Sequence, residues 1–217
     1  TKENIGTNSV RGQYLDGISK GEPACSYLNE EGVDSKNNTE TFVALKLEIN
    51  NWRWSGVPFY LRTGKRMHSK SSEIVVRYKA VPHNIFSKET SLKADQLVLR
   101  IHPDEGIDLK LNTKQPGVFG YDLQELPLDL NLYDYHELGH QDCYERLLLD
   151  VIRGNPSLFV RRDEIEASWQ WIDNIINLWD SEDVPMEEYI SGGWGPSNAD
   201  LLLKKDFRSW KNGSIKK

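Results

Sequence analysis

Cysteine is scarce in this chain. Only Cys25 and Cys143 occur in 217 residues. One pair in a chain of this length is not a disulfide scaffold, and its spacing fits no metal motif. The plain expectation is a reducing, cytoplasmic compartment. Long apolar runs are missing too. None approaches the roughly 20 residues that span a bilayer, so no membrane partner is expected. No cationic segment followed by an apolar one opens the chain, so it shows no secretory signal. Without one, the sequons Asn37-Asn38-Thr39 and Asn212-Gly213-Ser214 read as chance matches. Positive charge is not in excess. Lys and Arg number 27 against 33 Asp and Glu, for a net charge of −6. That balance excludes nucleic acid as the main partner. A glycine-rich turn between a strand and a helix is absent, as is any alternating βαβ pattern. Gly192-Gly193-Trp194-Gly195-Pro196 does not qualify, because proline ends it and no strand is expected to precede it. The chain opens at Thr1 rather than Met, which reads as a processed or excised piece.

What is present suits a folded domain. Apolar residues make up 38% and charged residues 28%, and seven Trp with nine Tyr suffice for a sizeable core. Residues 15–40 are rich in Gly, Ser, Asn and acidic groups and read as a long surface loop. Period-two alternation follows. Val43, Leu45, Leu47 and Ile49 share one face of a strand over 41–49, with Lys46 and Glu48 turned away. Further strands are expected over 57–61, 73–79, 96–102, 107–111 and 126–133. The period then becomes helical. Asp142 and Glu145 form a capping box, and Tyr144, Leu147, Leu148, Val151 and Ile152 make a stripe that ends at Gly154 and Pro156. A second helix is expected over 163–179, with Ile165, Trp169, Ile172, Ile176 and Trp179 on one stripe. Strands first and helices later predict an α+β fold: a large, mostly antiparallel sheet with helices packed on one face.

The densest chemistry lies in residues 57–70, VPFYLRTGKRMHSK. An apolar strand ends at Arg62-Thr63-Gly64, and Lys65, Arg66, His68 and Lys70 follow at once. A cationic knot on an acidic chain is a local device. Gly64 lets the backbone turn and approach a ligand. Lysines at a strand end suit a small anionic substrate such as a phosphate ester. The bland alternative is a solvated basic turn. His136-Glu137-Leu138-Gly139-His140 matches the HExxH zinc signature, but the helical pattern starts only at Asp142 and Gly139 weakens a helix there. No metal site is therefore expected.

Several longer segments carry a resemblance. Val10–Tyr14 (VRGQY), Asn51–Phe59 (NWRWSGVPF), Leu61–Arg66, Pro116-Gly117, Asp142–Asp150 (DCYERLLLD), Phe159–Glu164 (FVRRDE) and Trp194-Gly195-Pro196 occur in order. Together they resemble the C-terminal domain of the bacterial glucose-6-phosphate dehydrogenase family, from about Val10 to Trp210. The resemblance implies a single domain over 1–217 that binds substrate and dimerises through the open side of its sheet. It implies oxidation of glucose 6-phosphate to 6-phosphogluconolactone with NADP, at the entry of the oxidative pentose phosphate pathway. It places Lys65 and Lys70 at the family's two substrate-contacting basic positions. The family's coenzyme domain and the segment that carries its catalytic histidine are absent. No catalytic or coenzyme-binding residue is therefore assigned here, and the chain alone is expected to be inactive. Some animal members hold a second, structural NADP. Of its positions Arg62, Arg100, Lys110, Asp142 and Trp210 look retained. Ser71, Val75, Asp108 and Trp194 replace groups that hold the nucleotide, so that site is not expected. The alternatives are a dimerising scaffold without chemistry and a zinc hydrolase using His136 and His140.

Overall fold

A computed structural model describes residues 4–81, 83, 94–116, 123–132 and 143–212. The chain divides into two compact units, one of Thr1–Ser69 with Ser157–Lys217 and the other of Lys70–Pro156. Both are built on mostly antiparallel strands, and helices come mainly late in the chain, giving the α+β architecture.

The first unit holds a four-stranded sheet in the order β10-β1-β4-β5, made of Met186–Ile190, Ser9–Leu15, Phe42–Glu48 and Pro58–Gly64. β1 pairs parallel with β10 and antiparallel with β4. A small hairpin, β2 (Gly17–Ser19) with β3 (Glu22–Ala24), and a 3-10 turn at Tyr27–Asn29 lie inside the stretch expected as loop.

Both faces of this sheet are covered. On β4, Phe42 and Ala44 turn one way and Val43, Leu45 and Leu47 the other. Helix α4 (Ser197–Lys204) brings Ala199, Leu202 and Leu203 to the first side, against Val10, Tyr14, Phe42, Ala44 and Tyr189. Helix α3 (Arg162–Ser181) brings Ile175 and Trp179 to the second side, against Leu45, with Ile5 of the short helix α1 (Ile5–Asn8). The Trp179 indole N–H also donates to Ser9 Oγ at 2.8 Å. Polar residues on β1 are buried but answered. Arg11 donates twice to the Val184 carbonyl, at 2.8 and 3.0 Å. Gln13 donates to the carbonyls of Asn37 and Thr39, both at 2.9 Å.

The second unit holds the antiparallel meander β6 (Ser72–Arg77), β7 (Gln96–His102), β8 (Gly106–Lys114) and β9 (Leu123–Asn131), with helix α2 (Cys143–Arg153). Arg100 is held between Asp108 at 3.2 Å and Asp129 at 2.7 Å. Leu126, Leu128 and Leu130 share one side of β9 and stay exposed, as do Tyr144, Leu148, Val151 and Ile152 on α2. The capping box at Asp142 and the HExxH segment lie outside the described residues.

Candidate substrate site

Strand β5 delivers the cationic turn. Its last residue, Gly64, pairs with Phe42 of β4. A Cβ on Gly64 would lie 2.9 Å from both Met67 Sδ and Phe42 Cδ2. Close packing from beneath therefore requires the glycine, whereas the sequence suggested a freer backbone. The reversal itself falls on Arg66, whose φ is +49°.

Backbone and side-chain bonds pin the turn. Lys65 N–H donates to the Thr41 carbonyl at 2.8 Å. The Lys65 carbonyl accepts from the Tyr189 hydroxyl at 2.8 Å. Gly192 N–H donates to the Arg66 carbonyl at 2.7 Å, and His68 N–H donates to the Gly193 carbonyl at 2.8 Å. Contrary to the expectation that no strand precedes it, the Gly192–Pro196 stretch follows β10 (Met186–Ile190) and leads into α4, and it bonds to the turn at Arg66 and His68.

The cations of the turn have different fates. Arg66 donates to Glu30 Oε1 at 2.8 Å and lies 5.9 Å from the centre of the Tyr14 ring. Its hydrogen bond holds the Glu30 carboxyl below its ordinary pKa, and Tyr14 O–H donates to the same oxygen at 3.0 Å. Burial raises the Tyr14 phenol, and the bond to Glu30 adds to it. His68 lies against Trp194, with ring centres 5.1 Å apart, and its Nδ1 is 3.2 Å from the Gly192 carbonyl. Arg62, on β5, sits 5.1 Å from the Trp194 ring and 4.7 Å from the Trp210 ring. Lys65 is exposed, and among the described residues no carboxylate pairs with its ammonium. A strongly hydrated point charge on a fixed backbone is left to meet an anion. Lys70 is exposed as well and opens the second unit, ahead of β6.

A second polar cluster secures the tail beside β5. Lys46 Nζ contacts Asp206 Oδ2 at 2.7 Å, and Tyr60 O–H donates to that same oxygen. Arg208 donates to the Tyr60 oxygen at 3.3 Å. The Lys46 bond, then the Tyr60 bond, lowers the Asp206 pKa. The Asp206 bond raises that of Lys46.

Sequence reasoning named Lys65 as a candidate and missed the residues that hold its turn. Thr41, Tyr189 and Gly192 lie far from it in the chain. The only local signal was the Gly192-Gly193 pair after an aromatic. Two of the positions expected to match a structural coenzyme site are engaged within the protein. Arg100 faces Asp108 and Asp129, and Lys110 lies 3.8 Å from Glu125. Among the described residues no group of three or more His, Cys, Asp or Glu is placed to hold a metal. Among them, too, no helix is long and apolar enough to cross a membrane.

Known proteins are similar to this chain in sequence and fold. The glucose-6-phosphate 1-dehydrogenase of Rhizobium meliloti is 49% identical over 213 residues, 98% of this chain and 43% of that protein. The enzyme of the same name from Mycolicibacterium smegmatis is 44% identical over 215 residues, 99% of this chain and 43% of its own. A solved glucose-6-phosphate dehydrogenase in complex with its substrate glucose 6-phosphate superposes with a TM-score of 0.80 at 31% identity, over 95% of this chain and 42% of that one. The glucose-6-phosphate 1-dehydrogenase of Mycobacterium avium superposes with a TM-score of 0.74 at 31% identity, over 100% of this chain and 44% of that one. The chain thus spans less than half the length of these relatives. Residues 1–211 match the family model described as glucose-6-phosphate dehydrogenase, C-terminal domain, and the chain belongs to that family.

Proposed function

We propose that this chain is the substrate-binding and dimerising portion, residues 1–217, of a cytoplasmic glucose-6-phosphate 1-dehydrogenase. The whole enzyme would oxidise glucose 6-phosphate to 6-phosphogluconolactone and pass hydride to NADP. The observation that carries this reading is Lys65. Its backbone is pinned, and among the described residues no carboxylate pairs with its charge. Its ammonium can donate to phosphate or sugar oxygens. Lys70 is the second substrate lysine of the reading. In this reading NADP is bound mainly by the coenzyme domain of the whole enzyme. This chain's share of the reaction is therefore to hold the sugar phosphate. The partner is a second copy, met through the exposed apolar positions of the second unit. A dimerising scaffold without chemistry accounts for those leucines but leaves Lys65 without a purpose.

The test is Lys65→Ala in the full-length enzyme. Loss of a charged donor to the substrate should cost about 1.5–3 kcal/mol, roughly ten- to a hundredfold in kcat/KM for glucose 6-phosphate. The coenzyme KM and the melting temperature should stay near those of the parent, because an exposed lysine carries little stability. Lys70→Ala should act in the same direction more mildly. Parent-like kcat/KM in Lys65→Ala would reduce the turn to a solvated loop.

A further inference from the structure

The proposed substrate lysine owes its direction to a residue far along the chain. Both peptide planes that flank the Lys65 Cα are held. The preceding plane is held by Lys65 N–H to the Thr41 carbonyl, a backbone bond at 2.8 Å that no side-chain change removes. The following plane is held at its oxygen by the Tyr189 hydroxyl, also at 2.8 Å. Fixing both planes fixes φ and ψ, and therefore the direction of the Cα–Cβ bond from which the ammonium extends.

Tyr189 is suited to this work. It sits on β10 with 4% of its surface exposed, wedged between Tyr14 and Phe42. The ring is thus immobile and its oxygen is delivered to one place. Burial raises its phenol pKa, so the group stays protonated and remains a donor. The hydroxyl has one proton and two carbonyls within reach, Lys65 at 2.8 Å and Thr41 at 3.2 Å. The shorter contact is the one to Lys65. Thr41 Oγ1 stands 3.1 Å away and supplies a further partner to the phenol oxygen. A core aromatic thus reaches out of the apolar cluster to grip the peptide of an exposed residue.

We infer that Tyr189 is a positioning residue that orients Lys65 toward the substrate, an inference that rests on the reading of Lys65 as a substrate lysine. It touches neither substrate nor coenzyme and acts through the Lys65 carbonyl. Without its hydroxyl the fold keeps its ring packing, but the Lys65 peptide can rotate and the ammonium samples a wider cone. Misplacement of a positioning charge on this scale weakens substrate use on the order of tenfold.

The experiment is a double-mutant cycle in the full-length enzyme, with steady-state kinetics for each substrate and melting curves on every variant. Tyr189→Phe alone should raise KM for glucose 6-phosphate and lower kcat/KM on the order of tenfold, with the coenzyme KM unchanged. In a Lys65→Ala background the same substitution should change nothing further. Ser9→Ala, which loses a buried bond to Trp179 on the other side of the sheet and leaves Lys65 gripped, should leave KM for glucose 6-phosphate unchanged. An equal loss from Tyr189→Phe with and without Lys65 would mark general loosening and overturn the inference. So would a parallel rise in the coenzyme KM, or a Ser9→Ala variant as impaired as Tyr189→Phe. If Lys65→Ala impairs substrate use while Tyr189→Phe does not, the positioning role falls and the lysine's role stands. If Lys65→Ala itself is silent, the lysine's role falls first.

Discussion

At the scale of single residues, neighbouring charges of the same sign do different work. Arg66 is tied to Glu30, Arg62 lies between two indoles, and Lys65 is left exposed. The sequence shows all of them as equal cations. Only the carboxylate and the rings that face them, brought from distant segments, tell them apart. Asp206 makes the same point beside β5. Its carboxylate serves both Lys46 and Tyr60, and its pKa is lowered. A carboxyl with a depressed folded-state pKa stabilises above its ordinary pKa, and loses that contribution as pH falls through the lowered value. Asp206→Asn should therefore cost about 1–2 kcal/mol at neutral pH, near the low end for a charged bond because the group is partly exposed. The gap to the parent should close as pH drops below the ordinary carboxylate range. Melting temperature against pH for both proteins checks this. A gap that is constant down to strong acid would show that the carboxylate's charge is not what stabilises.

At the scale of elements, the legible ones alternated cleanly. The pattern of Val43, Leu45 and Leu47 located β4, Gln96–His102 was read to the residue as β7, and α3 was read to within two residues at each end. Among the elements that escaped are β1, β10 and α4. β1 reads SVRGQYL, with Arg, Gly and Gln where a central strand would show apolar groups. Those polar residues are buried because their acceptors come from Val184, Asn37 and Thr39, which no local window contains. No helix was expected over 197–204, yet Ala199, Leu202 and Leu203 make α4 the lid of the Phe42 core. Leu202 is 3% exposed there. Leu202→Ala should cost about 2–5 kcal/mol through the cavity it leaves. Chemical denaturation should show that loss as a lower midpoint with an unchanged slope. An effect near zero would mean that α4 only rests on the surface.

At the scale of the whole molecule, the division of labour sets what the isolated chain can do. Hydride transfer needs a bound nicotinamide and a base beside the sugar hydroxyl, and neither is assigned here. The isolated 217-residue chain should reduce no NADP with glucose 6-phosphate above a mock preparation. It should nevertheless self-associate, since the leucines of β9 and the stripe of α2 stand in water. Sedimentation at micromolar concentration checks this, and a monomer throughout would argue that those positions meet something other than a second copy.

The parallel pairing of β1 with β10 bears on the order of events at the ribosome. Arg11 faces Met186 in that ladder, and the Arg11 guanidinium waits for the Val184 carbonyl. Strand β1 therefore finds this neighbour only after residues 16–185 have been made behind it. Until then one edge of β1 is open and Arg11 lacks its acceptor. Closing so long a loop is slow, and an uncovered strand edge invites wrong pairings while it lasts. A nascent chain halted before Met186 should accordingly be digested readily by protease, and one released after Lys204 should resist. Early resistance would mean that the sheet can close without its last strand.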